Sequence, residues 1–356
     1  MKFLKTWRLL AILLLLVFAT TAFTFSGAKY IDNFKDNEFL LVHHLERKVY
    51  YADGTIPGTT DGYYAFTMKG GDGGSGLYAL ESNTSADFWN SAPGGTGGIV
   101  SGVIKVGAGE SIVFTCATAG AWPTRNGNTN TYGGNEGSLG GGSSGWRNLA
   151  YLVFIGQYRM VGGTGGGYSL LKVGGVNAAI AGGGGGTASP ENITAGTYKG
   201  GDGGSMTYGA WSGTSGTDAW ANGGDATGSR NGKGGSNGAT GTGAGGTGGT
   251  TNYNGGNGTS LNGGNSGRSG TATGNIYGAA GGGGGWFGGG GGAVDTGTGA
   301  TQYEGSGGGG SSWFNLSKVV AAPPAGVLPA GSSSGGYLAI YYLGPEYPNA
   351  RTIITP

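Results

Sequence analysis

One cysteine in 356 residues excludes an internal disulfide framework, and two histidines, His43 and His44, leave little for a histidine-based site. Adjacent residues on a strand point to opposite faces, so this pair does not make a ready metal site. Charge is scarce too: 19 Lys and Arg oppose 18 Asp and Glu, for a net +1. A chain so nearly neutral, with no basic run beyond its N-terminus, offers nucleic acid no electrostatic reason to bind. Long apolar runs are also missing; Leu9 to Phe18 is short for a membrane span. Lys2, Lys5 and Arg8 precede it and small residues follow through Ala28, so residues 1–28 read as a signal peptide. Cleavage after Ala22 or after Ala28 fits equally, and an uncleaved anchor is the alternative. The mature protein is expected outside the cell or at the cell surface, meeting membrane only through that signal.

What the chain has in abundance is glycine, 90 residues, concentrated in residues 181–312. Two physical outcomes compete for such a stretch. Glycine loses the most entropy on ordering, which favours a flexible tract. Alternatively, extended helices of three residues per turn pack side by side, their backbones approaching closely because no side chain intervenes. The spacing is xGG, GGx or pure glycine without the strict G-X-Y and proline of collagen. Interleaved aromatics (Trp211, Trp220, Tyr253, Tyr277, Trp286, Phe287, Trp313, Phe314) favour the packed bundle, since disordered tracts are poor in them.

Outside this block the pattern is β. Residues 49–51, 63–68, 98–106, 111–118, 150–155, 168–173 and 337–343 carry β-branched and aromatic residues between turn signals, and a hairpin is expected through Gly107-Ala108-Gly109-Glu110. The last of these strands is expected to return to the sheet begun before residue 120. Short strands with frequent turns suggest an antiparallel β-sandwich or jelly-roll-like layer with little α-helix. The expected organisation is a signal (1–28), an N-terminal arm (29–48), a β-sandwich with glycine-rich turns (49–180), a polyglycine-helix region (181–312), and a C-terminal segment returning a strand (313–356). The arm holds Phe39, Leu40, Leu41 and Val42 among charges and reads as a short helix or lone strand, a candidate for pairing with a neighbouring subunit. One heptapeptide recurs: Lys69-Gly70-Gly71-Asp72-Gly73-Gly74-Ser75 and Lys199-Gly200-Gly201-Asp202-Gly203-Gly204-Ser205. Both copies are expected where strand hands over to glycine-rich backbone.

No catalytic set emerges, and no cofactor or metal is expected. Cys116 lies in an alternating run and reads as a buried strand residue rather than a nucleophile, with a bridge between chains left open. Glycine-rich matches to phosphate loops lack the Lys-Ser/Thr ending and the following helix. Asp72, Asp202, Asp225 and Asp295 do not recur at the short period of a calcium β-roll, which leaves Asp-Gly turns as the simpler reading. Sequons occur at Asn83, Asn192, Asn257 and Asn315. The candidate contact residues are Trp286 and Phe287, flanked by Gly281 to Gly285 and Gly288 to Gly292. They either pack between glycine helices or project as a loop tip suited to sugar rings or another protein.

The runs from Asp61 to Gly74, Gly97 to Ile104 and Ala179 to Gly186, with Gly281 to Gly288 and Gly307 to Ser312, resemble secreted bacterial glycine-rich proteins. They are also similar to the glycine-rich extracellular domain of anaplastic lymphoma kinase and leukocyte tyrosine kinase. The resemblance implies a tumour-necrosis-factor-like β layer packed with a bundle of polyglycine helices, an arrangement that also occurs in some phage adhesin tips. The chain departs from the receptors in having no kinase, no second membrane span and no cysteines for their disulfides, so signalling does not carry over. The expectation is a non-enzymatic secreted structural protein that assembles with itself into a filament or matrix. The alternative is a monomeric adhesin or lectin-like module that binds surface glycans or proteins.

Overall fold

The computed structural model describes residues 48–57, 59–81, 86–90, 93–121, 124–126, 131–133, 140–142, 158–188, 199–226, 231–235, 253–269, 276–295, 303–324 and 333–347, together with the pairs 30–31 and 40–41. The chain divides into two units, Lys48–Pro348 and a smaller one made of Met1–Arg47 with Asn349–Pro356. In the smaller unit Tyr30–Ile31 pairs antiparallel with Leu40–Leu41. The expected signal peptide and the expected strand at 150–155 lie outside the described residues.

Within the larger unit, thirteen strands build two sheets: β1 (Lys48–Tyr50), β2 (Gly54–Ile56), β3 (Gly62–Lys69), β4 (Ile99–Val106), β5 (Ile112–Thr115), β6 (Ser169–Val173), β7 (Val176–Ala181), β8 (Met206–Thr207), β9 (Gly213–Ser215), β10 (Asp218–Ala221), β11 (Ser312–Asn315), β12 (Val319–Ala321) and β13 (Tyr337–Gly344). The first sheet runs β8-β4-β3-β13-β1, with β12 also pairing β4. The last strand, β13, lies between β3 and β1. The second sheet runs β9-β10-β11-β7-β6-β5-β2. The turn at 107–110 therefore carries the chain from β4 in one sheet to β5 in the other instead of closing the expected hairpin. Pairing within these two sheets is antiparallel except for the short β8 against β4. A further five-stranded sheet runs Arg268–Ser269, Ile276–Gly278, Tyr158–Val161, Leu77–Glu81, Ala86–Asn90, antiparallel except between Ile276–Gly278 and Tyr158–Val161. The described residues contain no helix, so the fold is all-β and sandwich-like.

Alternation decides which side chains fill the space between the sheets. In β5, Ile112 and Phe114 are buried while Val113 and Thr115 are half-buried. In the first sheet Phe66 stands in register with Gly102 on one side and Ile340 on the other. A side chain at Gly102 would strike the Phe66 ring and Val319, so that glycine makes room for Phe66. Across the gap, Phe314 of β11 lies edge-on to Phe66 with centroids 6.0 Å apart. Leu171, Val173, Ala179, Leu338 and Met68 complete the same apolar cluster. Each large side chain buried there contributes roughly 1.5–3 kcal/mol.

The glycine-rich segments between these strands are ordered by a different rule. In residues 182–187, Gly183 and Gly186 donate to Gly284 and Gly281, Gly184 and Thr187 to Gly71 and Gly74, and Gly185 to Gly201. The carbonyls of Gly182 and Gly185 accept from Gly98 and Gly95, those of Gly183 and Gly186 from Gly310 and Gly307, and those of Gly184 and Thr187 from Gly166 and Gly163. Partners therefore change from residue to residue and return every third one. Three neighbours accept and three donate, so this segment has six bonded neighbours: 70–76, 93–98, 162–167, 199–205, 279–285 and 305–311. Those six also bond to one another in a closed ring, for example Gly73 to Gly95, Gly203 to Thr96, Gly201 to Gly307, Gly283 to Gly308, Gly284 to Gly166, and Gly74 to Thr164. Segments 279–285 and 305–311 are surrounded in the same way, the first adding neighbours at 140–142, 262–267 and 288–293, the second at 222–226, 231–235 and 288–293.

Glycine is required at the centre for space rather than for an unusual backbone angle. None of Gly182 to Gly186 has a φ in the left-handed region, yet a Cβ on any of them would sit well under 3.0 Å from a neighbouring carbonyl oxygen. At the margin the constraint relaxes: a Cβ on Gly224 would meet Asp202 no closer than 3.2 Å, and one on Gly256 would meet Asn265 at 3.2 Å. Gly183→Ala or Gly185→Ala is therefore expected to cost more than about 3 kcal/mol, beyond ordinary overpacking, while Gly224→Ala costs under about 1 kcal/mol. Urea midpoints of the three variants measure this, and equal losses at centre and margin would contradict it.

Candidate functional site

The repeated heptapeptide places two Lys-Asp pairs on either side of residues 93–98. Lys69, the last residue of β3, is buried and donates from Nζ to Asp72 Oδ1 at 2.5 Å and to the Ser333 carbonyl at 2.8 Å. Asp72 Oδ1 also accepts the Gly97 N–H at 2.7 Å. In the second copy Lys199 Nζ lies 2.9 Å from both Asp202 oxygens, and Asp202 Oδ1 accepts the Thr96 N–H at 2.7 Å and its hydroxyl at 3.0 Å. Consecutive amides of one segment are thus held by consecutive copies of the motif. The first copy follows a strand and the second precedes one, β8. A third such carboxylate, Asp225, accepts the Gly234 N–H and pairs with Lys233. In each case a lysine neutralises a carboxylate that stands in for a backbone carbonyl at the lattice surface. Among the described residues no group of three metal-ligating side chains occurs.

Trp286 and Phe287 form the turn joining segments 279–285 and 288–293. The Trp286 N–H donates to the Ser311 carbonyl at 3.0 Å and the Phe287 N–H to Ser311 Oγ at 2.8 Å. The Trp286 ring stacks on Trp313 of β11, centroids 4.5 Å apart and planes 13° from parallel. Trp313 is buried, and its Nε1–H donates to Asp218 Oδ1 at 3.0 Å. Its register partners are Ile180 and the half-buried Trp220, on the face of the second sheet away from the Phe66 cluster. Trp286 and Phe287 are themselves half-buried. The pair thus sits where the glycine segments meet the sheet. Beside it, Leu261 donates its N–H to the Trp286 carbonyl and is the only non-glycine described residue with positive φ, 69°. Asp218 escaped sequence reasoning; only the short alternation of β10 marks its neighbourhood.

Of the candidate arm, Leu40 and Leu41 are the strand paired with Tyr30–Ile31, while Phe39 and Val42 lie outside the described residues, as do His43 and His44. Among the sequons, Asn257 is exposed, whereas Asn315 Nδ2 donates to the Asn177 carbonyl. Asn83 and Asn192 are not among the described residues. Cys116 is 7% exposed; its N–H donates to Asp53 Oδ1. Burial first, and the Asp53 carboxylate second, push its thiol up to about 11. Two carboxyls move the other way. Glu110 is held below its ordinary value by the Gly107 N–H and then by Lys318, at 3.1 Å. For Asp202, burial acts to raise the value, but Lys199 and the Thr96 donors outweigh it and the net shift is downward.

No known protein family matches the chain, and no curated protein sequence is significantly similar to it.

Two solution properties follow from these environments. A thiol raised to about 11 holds about a hundredfold less thiolate at neutral pH than an ordinary one. Alkylation of Cys116 should be slow in the folded protein and fast in denaturant; equal rates would show the site open. For Glu110 and Asp202, folded values below the unfolded ones mean stabilisation that is complete above the ordinary carboxyl range and lost as pH falls through the depressed values. Urea midpoints should therefore drop on acidification, and more steeply in the native sequence than in the Glu110→Gln, Asp202→Asn double variant. Parallel pH profiles would reject this assignment.

Proposed function

We propose that the chain is a non-enzymatic, secreted or cell-surface structural protein that assembles with itself into an extracellular filament or matrix. On this reading its glycine-rich segments are polyglycine II helices, forming a bundle beside a β layer akin to that of the glycine-rich receptor domains. The observation that carries the proposal is the saturation of residues 182–187, 279–285 and 305–311, each bonded to six neighbouring segments. An interlocked backbone supplies stiffness in the glycine segments without apolar side chains, which supports a structural role. The three-residue return of hydrogen-bond partners supports the helical assignment. The arm around Leu40 and Leu41 supports assembly, because a short strand with apolar residues among charges can add to the edge of another subunit's sheet.

A second reading is a monomeric adhesin contacting surface glycans or proteins through Trp286 and Phe287. It is favoured by the partial exposure of this aromatic pair at the turn between two lattice segments.

Electron microscopy of the protein from Lys29 onward, across a concentration series, separates the two. Regular filaments that disappear when residues 29–47 are deleted are the expected result, with the unfolding midpoint of the remainder unchanged. Filaments that persist after the deletion would reject the arm. Dispersed particles at every concentration, with surface binding lost in the Trp286→Ala, Phe287→Ala variant, would replace the first reading by the second.

A further inference from the structure

Five Asn-Gly steps fall within the described residues: Asn222-Gly223, Asn231-Gly232, Asn254-Gly255, Asn257-Gly258 and Asn262-Gly263. Asn followed by Gly is the pair most prone to deamidate, because no side chain shields the following backbone nitrogen. That nitrogen loses its proton and attacks the asparagine Cγ. The new C–N bond closes a five-membered succinimide, and the Cγ–Nδ2 bond breaks to release ammonia. Water then opens the ring at either carbonyl, leaving aspartate or isoaspartate. One water is consumed and one ammonia leaves, with no change of oxidation state.

The lattice controls this reaction through the nucleophile. Gly223 N–H donates to Gly235 at 2.8 Å, Gly232 N–H to Ser306 at 2.9 Å, and Gly263 N–H to Gly140 at 2.5 Å. In those three steps the proton is held and the peptide plane is fixed by a neighbouring segment. Gly255 and Gly258 have no acceptor for their N–H among the described residues. Exposure of the asparagine does not separate the two groups, since Asn222 and Asn262 are exposed just as Asn254 and Asn257 are. The hydrogen bond on the next residue does.

We propose that Asn254 and Asn257 are sites of self-catalysed deamidation, which turns one margin of the glycine lattice from neutral to acidic with age. Asn254 leads, because Gly255 is half-exposed while Gly258 is buried. The segment involved is attached to the lattice by Gly288 N–H to Thr259 and Gly291 N–H to Gly256. An aspartate leaves these bonds in place and adds charge, whereas an isoaspartate inserts a methylene into the backbone and shifts the three-residue spacing on which they depend.

Ageing the folded full-length protein in mildly alkaline buffer, with peptide mapping by mass spectrometry, tests the proposal. Acid forms should accumulate at Asn254 and then Asn257, with residues 222, 231 and 262 at least about tenfold slower because their amides react only from locally opened states. In denaturant all five should react at similar rates. The variant carrying Asn254→Gln and Asn257→Gln should lose the early acidic species on isoelectric focusing. Equal rates at all five sites in the folded protein, or no reaction at Asn254 and Asn257 under conditions that deamidate the denatured chain, would overturn the assignment.

Discussion

Everything in the larger unit depends on backbones lying too close together to admit a Cβ. A peptide group buried away from water must find a partner, and for residues 183–187 every backbone partner is another peptide group. This is possible only where neighbouring chains approach until a methyl group would collide with a carbonyl oxygen. In an ordinary core side-chain volume sets the spacing of elements and hydrogen bonds are confined within helices and sheets. Here the hydrogen bonds set the spacing, and the side chains admitted inside are small ones such as Thr164, Thr187, Ala280 and Ser306. The cost is entropic, because glycine surrenders more conformational freedom than any other residue. Mutual saturation of the central segments offsets that cost.

The sandwich and the glycine segments are continuous. Residues 70–76 follow β3, residues 93–98 lead into β4, and residues 182–187 follow β7, so the strands fix where each glycine segment starts. The Phe66 and Phe314 rings hold the two sheets together, while the Lys-Asp pairs and the Trp286-Trp313 stack tie sheet to lattice. These ties are few and specific, and they lie at ends of segments, where side chains have room.

Much of this was legible in the sequence and some was not. Strands with enough length to alternate, such as Gly62–Lys69 and Ile112–Thr115, announced themselves, and the all-β, sandwich-like character followed from them. The glycine spacing also carried positional information: pure runs such as Gly182 to Gly186 and Gly307 to Gly310 lie in the surrounded segments, whereas xGG runs such as Asn222 to Asp225 put their larger residue on the open side. Which segment lies beside which could not be read, because a peptide group carries no label and every glycine run is an equally good partner for every other. The four-residue β10 was too short to stand out from its surroundings, and with it Asp218 and the seat of Trp313 were hidden. The role of the repeated heptapeptide was concealed for a different reason: its two copies act on a third segment between them, 93–98, which resembles neither.

The order in which the lattice can be built is fixed by its connectivity. Gly184 bonds to Gly71, more than a hundred residues earlier, and Gly183 receives the amide of Gly310, more than a hundred residues later. The central segment therefore cannot be closed on all sides until nearly the whole chain is available. Contacts this remote in sequence make folding slow, and a ring of six neighbours gives little reward to any partial arrangement. The lattice consequently closes last around its centre, when the glycine run at 307–310 is available to bond with those before it.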